Sequence, residues 1–319
     1  MGEASSSRLV SRGEQGREMT KINVIQPGTI EAPPGEIPFL LLPERNVFQA
    51  RSARLSALAE GHALADYLRF LAALAGAQHE SMSLFRRVRL PEAQELERCR
   101  EHGMPPLGTR GWDRDPVWRE ALRCILTELE AGALPEAARA TIARLKDTDD
   151  ASLERMAETL FAGDSDEKLD RAAKPFIGAA LQAYWLHLVT PLGAGAFGRL
   201  ETPHLCPACG SAPMVSVVCI GADHGLRYLT CPLCSTQWHA VRIKCVFCDT
   251  TKGITYYGIE GGSAAIKAES CEACHGYLKI LYMDKDPNVD ALADDVASIA
   301  LDVLMAESGI TRKGTNFLF

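Results

Sequence analysis

The sequence predicts an α+β multidomain chain: an N-terminal α-helical domain, two tandem four-cysteine β modules and a C-terminal helix. Three observations carry this. Apolar residues recur at helical spacing from 45 to about 189, the period shifts to two beyond Pro203, and nine of eleven cysteines crowd between Cys206 and Cys274. With 319 residues and 47% hydrophobic content, the chain has apolar material for about two buried cores.

Residues 1–36, rich in Ser, Glu, Gly and Pro, read as a flexible segment. They carry Arg8, Arg12, Arg17 and Lys21 but no apolar stretch behind them, so no signal peptide is expected, and the run 37–42 is too short to span a bilayer. The expectation is a cytoplasmic protein without membrane insertion. In a reducing compartment clustered thiols serve metals rather than disulfides.

Residues 37–190 read as the helical domain. Leu55, Leu58, Leu64, Leu68, Leu71 and Leu74 fall on one helix face, and Asp115 before Pro116 is an N-cap leading into Trp118, Leu122, Ile125 and Leu129. Shorter amphipathic stretches follow at 136–146 and 152–162. The run 176–189 is apolar nearly all round, as a central bundle helix is. Residues 191–203 form a Gly/Pro linker. Within it Gly193, Gly195 and Gly198 match G-x-G-x-x-G, but the run follows a helix instead of a strand and meets Pro203 before another helix can start. A hinge is expected there, not a dinucleotide site.

Four Cys-x-x-Cys pairs then occur: Cys206 with Cys209, Cys231 with Cys234, Cys245 with Cys248, and Cys271 with Cys274. The first two pairs are separated by 21 residues and the last two by 22, an internal repeat that divides the region into ribbons at 204–243 and 244–283. Each knuckle aims two sulfurs at one centre, and a second knuckle closes a tetrahedron. The eight cysteines are therefore candidate ligands for two mononuclear metal ions. Whether the sets pair sequentially or cross between repeats is open at this level. A module of about 40 residues cannot offset the entropy of ordering itself by apolar burial, whereas a structural metal contributes on the order of 10 kcal/mol.

Thiolate sets accept zinc or iron. Cys206-Pro207-Ala208-Cys209-Gly210 is a rubredoxin-like knuckle, in which glycine takes positive φ; the other three continue with Ser235, Asp249 and His275. His204, His239 and His275 lie near the knuckles, with supporting or surface roles expected. Cys219 is expected in a strand core, and Cys99, Cys124 and His187 assemble no nucleophile, base and orienting group. Residues 284–319 hold the closing helix and tail. Leu292, Val296, Ile299 and Val303 form its apolar face, Asp290, Asp294 and Asp295 suit the positive dipole end of a solvated helix start, and Gly309 stops it.

Charge argues against nucleic acid. The chain carries −7 overall, and from 200 to 283 six basic side chains balance six acidic ones before thiolate–metal sites add about −4. A protein surface is the expected partner.

Arg51-x-x-Arg54-Leu55, Leu58-Ala59-x-x-His62-x-Leu64-x-Asp66-Tyr67-Leu68, Leu71, Gln78, the four cysteine pairs and the run Ala293 to Ser298 with Leu301-Asp302 together resemble the bacterial formate dehydrogenase accessory proteins of the FdhE type, from about Phe39 onward. Ala63 stands where that family usually has proline. The resemblance implies a non-enzymatic cytoplasmic maturation factor that binds the catalytic subunit of formate dehydrogenase. It also implies iron in preference to zinc at the eight cysteines. For His62, Asp66 and Tyr67 it leaves two readings open, a client-contact surface or a local His62–Asp66 contact beside a packed tyrosine. The competing functions are a ribbon-type nucleic-acid or transcription-linked adaptor and a thiol oxidoreductase.

Overall fold

The structure, a computed structural model, describes residues 19–22, 37–132, 134–162 and 170–318. Its helical part comprises α1 (Val47–Leu58), α2 (Ala65–Ser81), α3 (Ala93–Glu101), α4 (Val117–Glu130), α5 (Glu136–Lys146), α6 (Asp150–Ala162) and α7 (Lys174–Val189). Every residue of α7 except His187 is buried, which is why its sequence has no polar face. Its aromatic side chains fasten the connections around it. Tyr184 Oη accepts hydrogen bonds from Trp112 Nε1 and the Asp115 amide, both at 3.0 Å, and Trp185 Nε1 donates to the Leu107 carbonyl at 2.9 Å. The Asp115 carboxylate accepts from the Val117 amide, the cap expected there.

The leucine face expected to run from 55 to 74 is interrupted. Gly61 takes φ +67°, and His62 Nδ1 accepts a hydrogen bond from the Leu64 amide at 3.0 Å, which ends α1 and starts α2 as a separate helix packed against it. The run 191–203 is docked rather than free-standing. Arg100 of α3 donates to the Gly195 carbonyl, and a Cβ on Gly198 would stand 3.0 Å from Arg100 Cγ, so the glycine serves close approach and not phosphate binding.

Strands β1 (Met19–Ile22), β2 (Leu40–Leu41), β3 (Val215–Val218), β4 (Arg227–Thr230), β5 (Gln237–Ala240), β6 (Ile254–Ile259), β7 (Ile266–Cys271), β8 (Gly276–Tyr282) and β9 (Thr311–Arg312) build one sheet in the order β1-β6-β7-β8-β3-β4-β5-β2. The two ribbons thus join edge to edge through the parallel pair β3 and β8, while β9 takes the rest of the β8 edge. Within the segment 1–36, Met19–Ile22 pairs antiparallel with β6; the remainder lies outside the described residues.

The closing helix divides at Ser298 into α8 (Ala291–Ala297) and α9 (Ile299–Glu307). Asp290 caps α8, accepting from the Leu292 and Ala293 amides. Asp294 and Asp295 overturn the reading of a solvated helix start: they are 1% and 0% exposed. Asp294 bonds Arg54 at 2.6 Å, and Asp295 bonds Lys279 at 3.1 Å and Arg312 at 2.7 Å, with Asn316 donating to it as well. Dipole complementarity is a surface effect of up to about 1 kcal/mol, whereas these carboxylates are interior and held by buried Lys279 and half-buried Arg54 and Arg312. Arg51 reaches Asp290 at 3.1 Å, so α1 is bolted to α8 by two arginines three residues apart. No helix among the described residues is long and apolar enough to cross a membrane.

Candidate metal centres

The knuckles are built by a repeated turn. In each of the first three the amide of the leading cysteine donates to the carbonyl five residues on: Cys206 to Ser211, Cys231 to Thr236 and Cys245 to Thr250. The residue after the second cysteine is left-handed in all four knuckles, at Gly210 (φ +75°), Ser235 (+57°), Asp249 (+65°) and His275 (+50°). The conformation expected of one knuckle is therefore common to all, with non-glycine residues held in it three times. That turn frees peptide N–H groups to face sulfur: the Leu233 and Cys234 amides both donate to Cys231 Sγ at 3.4 Å.

The sulfurs converge in two sequential sets, Cys206, Cys209, Cys231 and Cys234, and Cys245, Cys248, Cys271 and Cys274, each with its ligand atoms within 4.8 Å of one another. Shortest contacts run between knuckles: Cys209 to Cys231 at 3.4 Å and Cys206 to Cys234 at 3.6 Å in the first, Cys248 to Cys271 at 3.5 Å and Cys245 to Cys274 at 3.8 Å in the second. A tetrahedron with metal–sulfur bonds of about 2.3 Å has edges of about 3.8 Å, so both sets fit one tetrahedral ion. A disulfide needs about 2.05 Å, and all eleven cysteines are free.

Charge on the sulfurs points the same way. Burial pushes the Cys206 and Cys231 thiols well up; at Cys209 burial also opposes ionisation, but hydrogen bonds with the neighbouring sulfurs and Ser211 outweigh it and hold the group well below the usual thiol range. In the second set burial raises Cys245 to about 12 and raises Cys274, while peptide and sulfur hydrogen bonds outweigh burial at Cys271 and lower it. Four converging sulfurs without a cation sustain few negative charges, and a bound cation would let the rest ionise.

The sets differ in surroundings. All four sulfurs of the first belong to buried residues inside the main core. Ser211 and Thr236 hydroxyls sit 3.3 and 3.2 Å from Cys209 and Cys234. The helical domain seals this set: Leu107 and Thr109 amides donate to the Ala208 and Cys209 carbonyls, and Gln182 of α7 donates to the Pro232 carbonyl at 2.7 Å. In the second set Cys245 and Cys271 are buried, Cys274 is half-buried and Cys248 is exposed, and only a small cluster with Ile254 backs it.

His204, His239 and His275 join neither set; His204 packs on Phe247 and His239 on Tyr228. Cys219 lies just beyond β3 instead of mid-strand, half-buried and pushed up to about 11 by burial. Cys99 and Cys124 are half-buried and likewise outside the sets. The local His62–Asp66 contact, one of the two readings left open, does not form. His62 Nε2 sits 3.0 Å from the Ala297 carbonyl, Tyr67 Oη donates to the Leu318 carbonyl, and only Asp66 faces solvent, beside Arg69. Sequence counting also missed that Arg227, Glu269 and Lys279 are interior. Arg227 Nη2 bonds Glu269 at 2.7 Å and its Nη1 donates to the Val241 and Lys244 carbonyls, clamping the turn between the ribbons, where Ile243 takes φ +55°. A lone arginine before Tyr228, Leu229 and Thr230 in a short strand was the available signal.

Three family models tile the chain: "FdhE, N-terminal" over 37–200, "FdhE, central domain" over 205–242 and "FdhE, C-terminal domain" over 243–319. A relative from Pseudomonas aeruginosa, "Protein FdhE homolog", is 40% identical over 301 residues, covering 92% of this chain and 97% of its own. One from Cronobacter sakazakii, also "Protein FdhE homolog", is 42% identical over 290 residues, covering 89% and 92%. The crystal structure of the FdhE protein from Pseudomonas aeruginosa matches with TM-score 0.78 at 38% identity, over 88% of this chain and 99% of that one.

Proposed function

The chain belongs to the FdhE family, and from that premise we propose that it is a cytoplasmic, non-enzymatic accessory protein for formate dehydrogenase assembly, binding that enzyme's catalytic subunit. The observation that carries this reading is the pair of four-sulfur sets on one sheet, one sealed under the helical domain and one reaching the surface. Each set would hold one metal ion through its four cysteines, iron in preference to zinc. Bound there, an ion supplies cross-linking of two knuckles and, if iron, one-electron redox chemistry. The cysteines fix the knuckles, the N–H groups around Cys231 steady its charge, and the ion pairs of Arg51 and Arg54 keep the helical domain in register with the ribbons.

Anaerobic purification with a visible spectrum and metal analysis tests the centres: two metal equivalents per chain are expected, coloured if iron. A colourless protein holding only zinc removes the redox version and leaves the scaffold. Deleting the gene from its source strain should abolish formate dehydrogenase activity while the catalytic subunit is still made. Normal activity in that strain sinks the accessory role.

A further inference from the structure

Where the helical domain, the second ribbon and the closing helices meet, the surface opens into a cleft of about 590 Å³. Leu58 and Leu64 from the α1–α2 connection, Ile259 at the end of β6, and Ile299 and Leu301 of α9 make its walls apolar. Its mouth is open: Ala63 and Ser263 are exposed, and a side chain built on Gly61 or Gly261 would meet nothing within 4 Å.

Its charge is one-sided. The one lining arginine, Arg54, already lies between Asp286 and Asp294, so a carboxylate is left over, and the exposed Glu60 and Glu260 flank the lining residues Gly61 and Ile259. The β6 edge itself is taken, since Met19 of β1 pairs opposite Ile259, so a segment seated here lies along the cleft walls instead of adding a strand. The tail of the chain does not fill the cleft, because Tyr67 and Asn316 hold it elsewhere, against α2 and Asp295.

We propose that this cleft seats an extended segment of the client protein that presents apolar side chains and at least one basic residue. The proposal rests on the accessory reading above and gives it a surface. Apolar walls supply affinity for alternate side chains of an extended chain, and an acidic rim selects a basic one and steers its approach. Arg54 and Asp294, one of the two pairs that bolt the helical domain to α8, line the cleft, so the site exists only when both halves of the chain are assembled.

The test uses the full chain co-expressed with the catalytic subunit of formate dehydrogenase. A photo-crosslinking benzoylphenylalanine in place of Ala63 should join the client at a segment combining apolar and basic residues, and the same group in place of Ala140, exposed on α5, should not. Ala63→Trp, which fills the mouth, should lower client capture at least tenfold with metal content and thermal midpoint unchanged; if that variant misfolds, Ser263→Trp at the opposite lip carries the same test. Glu60→Lys with Glu260→Lys should weaken capture about tenfold and flatten its salt dependence. Capture by the tryptophan variant at the level of the unmodified chain, or an adduct from position 63 to this chain's own residues 1–18, overturns the cleft while leaving the accessory role standing. An unmodified chain that captures no catalytic subunit overturns the accessory role and the cleft with it.

Discussion

The two cysteine centres share ligand type, spacing and left-handed knuckles, and they differ in nearly everything around them. The first is part of the main core, sealed by the loop at Leu107 and by Gln182 of α7. The sulfurs of the second stand outside that core, against a small cluster around Ile254, with Cys248 in solvent. The rest of the second ribbon reaches the main core through Ile266, Ala268, Tyr277, Leu278 and Leu281, and ion pairs add to that hold: Arg227 with Glu269, and Lys279 with Asp295 and Asp302. A ligand motif thus defines what a site can bind, while burial defines whether the site is a keystone of the fold or a surface feature.

The sharpest way to break this contrast is to remove one knuckle from each. Cys206→Ser with Cys209→Ser leaves two unpaired thiols and two hydroxyls in the interior, where a structural metal worth on the order of 10 kcal/mol would otherwise stand against a whole-chain stability of about 5–15 kcal/mol. Global loss of the cooperative thermal transition is expected, followed by circular dichroism. Cys245→Ser with Cys248→Ser should instead lose one metal equivalent and open the second ribbon locally. Hydrogen exchange should rise across 244–283 while α2, α4 and α7 stay protected, and formate dehydrogenase maturation should fail. Equal damage from both pairs would mean that burial does not separate them.

Next in size is the clamp between the ribbons. Arg227 is fully buried, and Arg227→Ala leaves Glu269 without its cation and frees the carbonyls at Val241 and Lys244, for a loss of about 3–5 kcal/mol. Arg227→Met with Glu269→Leu removes both charges and should recover most of it. Urea unfolding decides. A double variant as damaged as the single one would show that the arginine acts on the turn at Ile243 and not through its ion pair.

Much of this was legible in the sequence, and the reasons for the rest are physical. Helix α7, the β-rich region beyond Pro203 and the eight sulfurs follow from period and spacing, both local properties. The pairs Arg51 with Asp290 and Arg54 with Asp294 do not, because a charged residue on an apolar helix reads as solvated until its partner some 240 positions away is known. The sequential pairing of the cysteine sets and the shared β3–β8 edge are likewise long-range facts. Two hydroxyls were nearer to hand: Ser211 and Thr236 each stand two residues past a knuckle and reach its sulfur.

The smallest expected effect concerns the residue after each knuckle. Gly210 has φ +75°, and a Cβ there would approach Pro105 Cγ to 3.1 Å, since the helical domain presses on the first centre. Gly210→Ala therefore combines a left-handed penalty with a contact that the sealed loop resists, and should cost about 1–2 kcal/mol. Asp249 occupies the same conformation in the second ribbon at φ +65°, but in solvent. Asp249→Gly relieves a similar penalty, loosens the unfolded chain, and gives up an exposed pair with Lys244, so the net change should fall within about 0.5 kcal/mol. Denaturation midpoints of the two variants compare the knuckles at constant geometry. If Gly210→Ala proves as mild as Asp249→Gly, the first centre is not clamped from above, and its burial reflects the ribbon alone instead of the helical domain's grip.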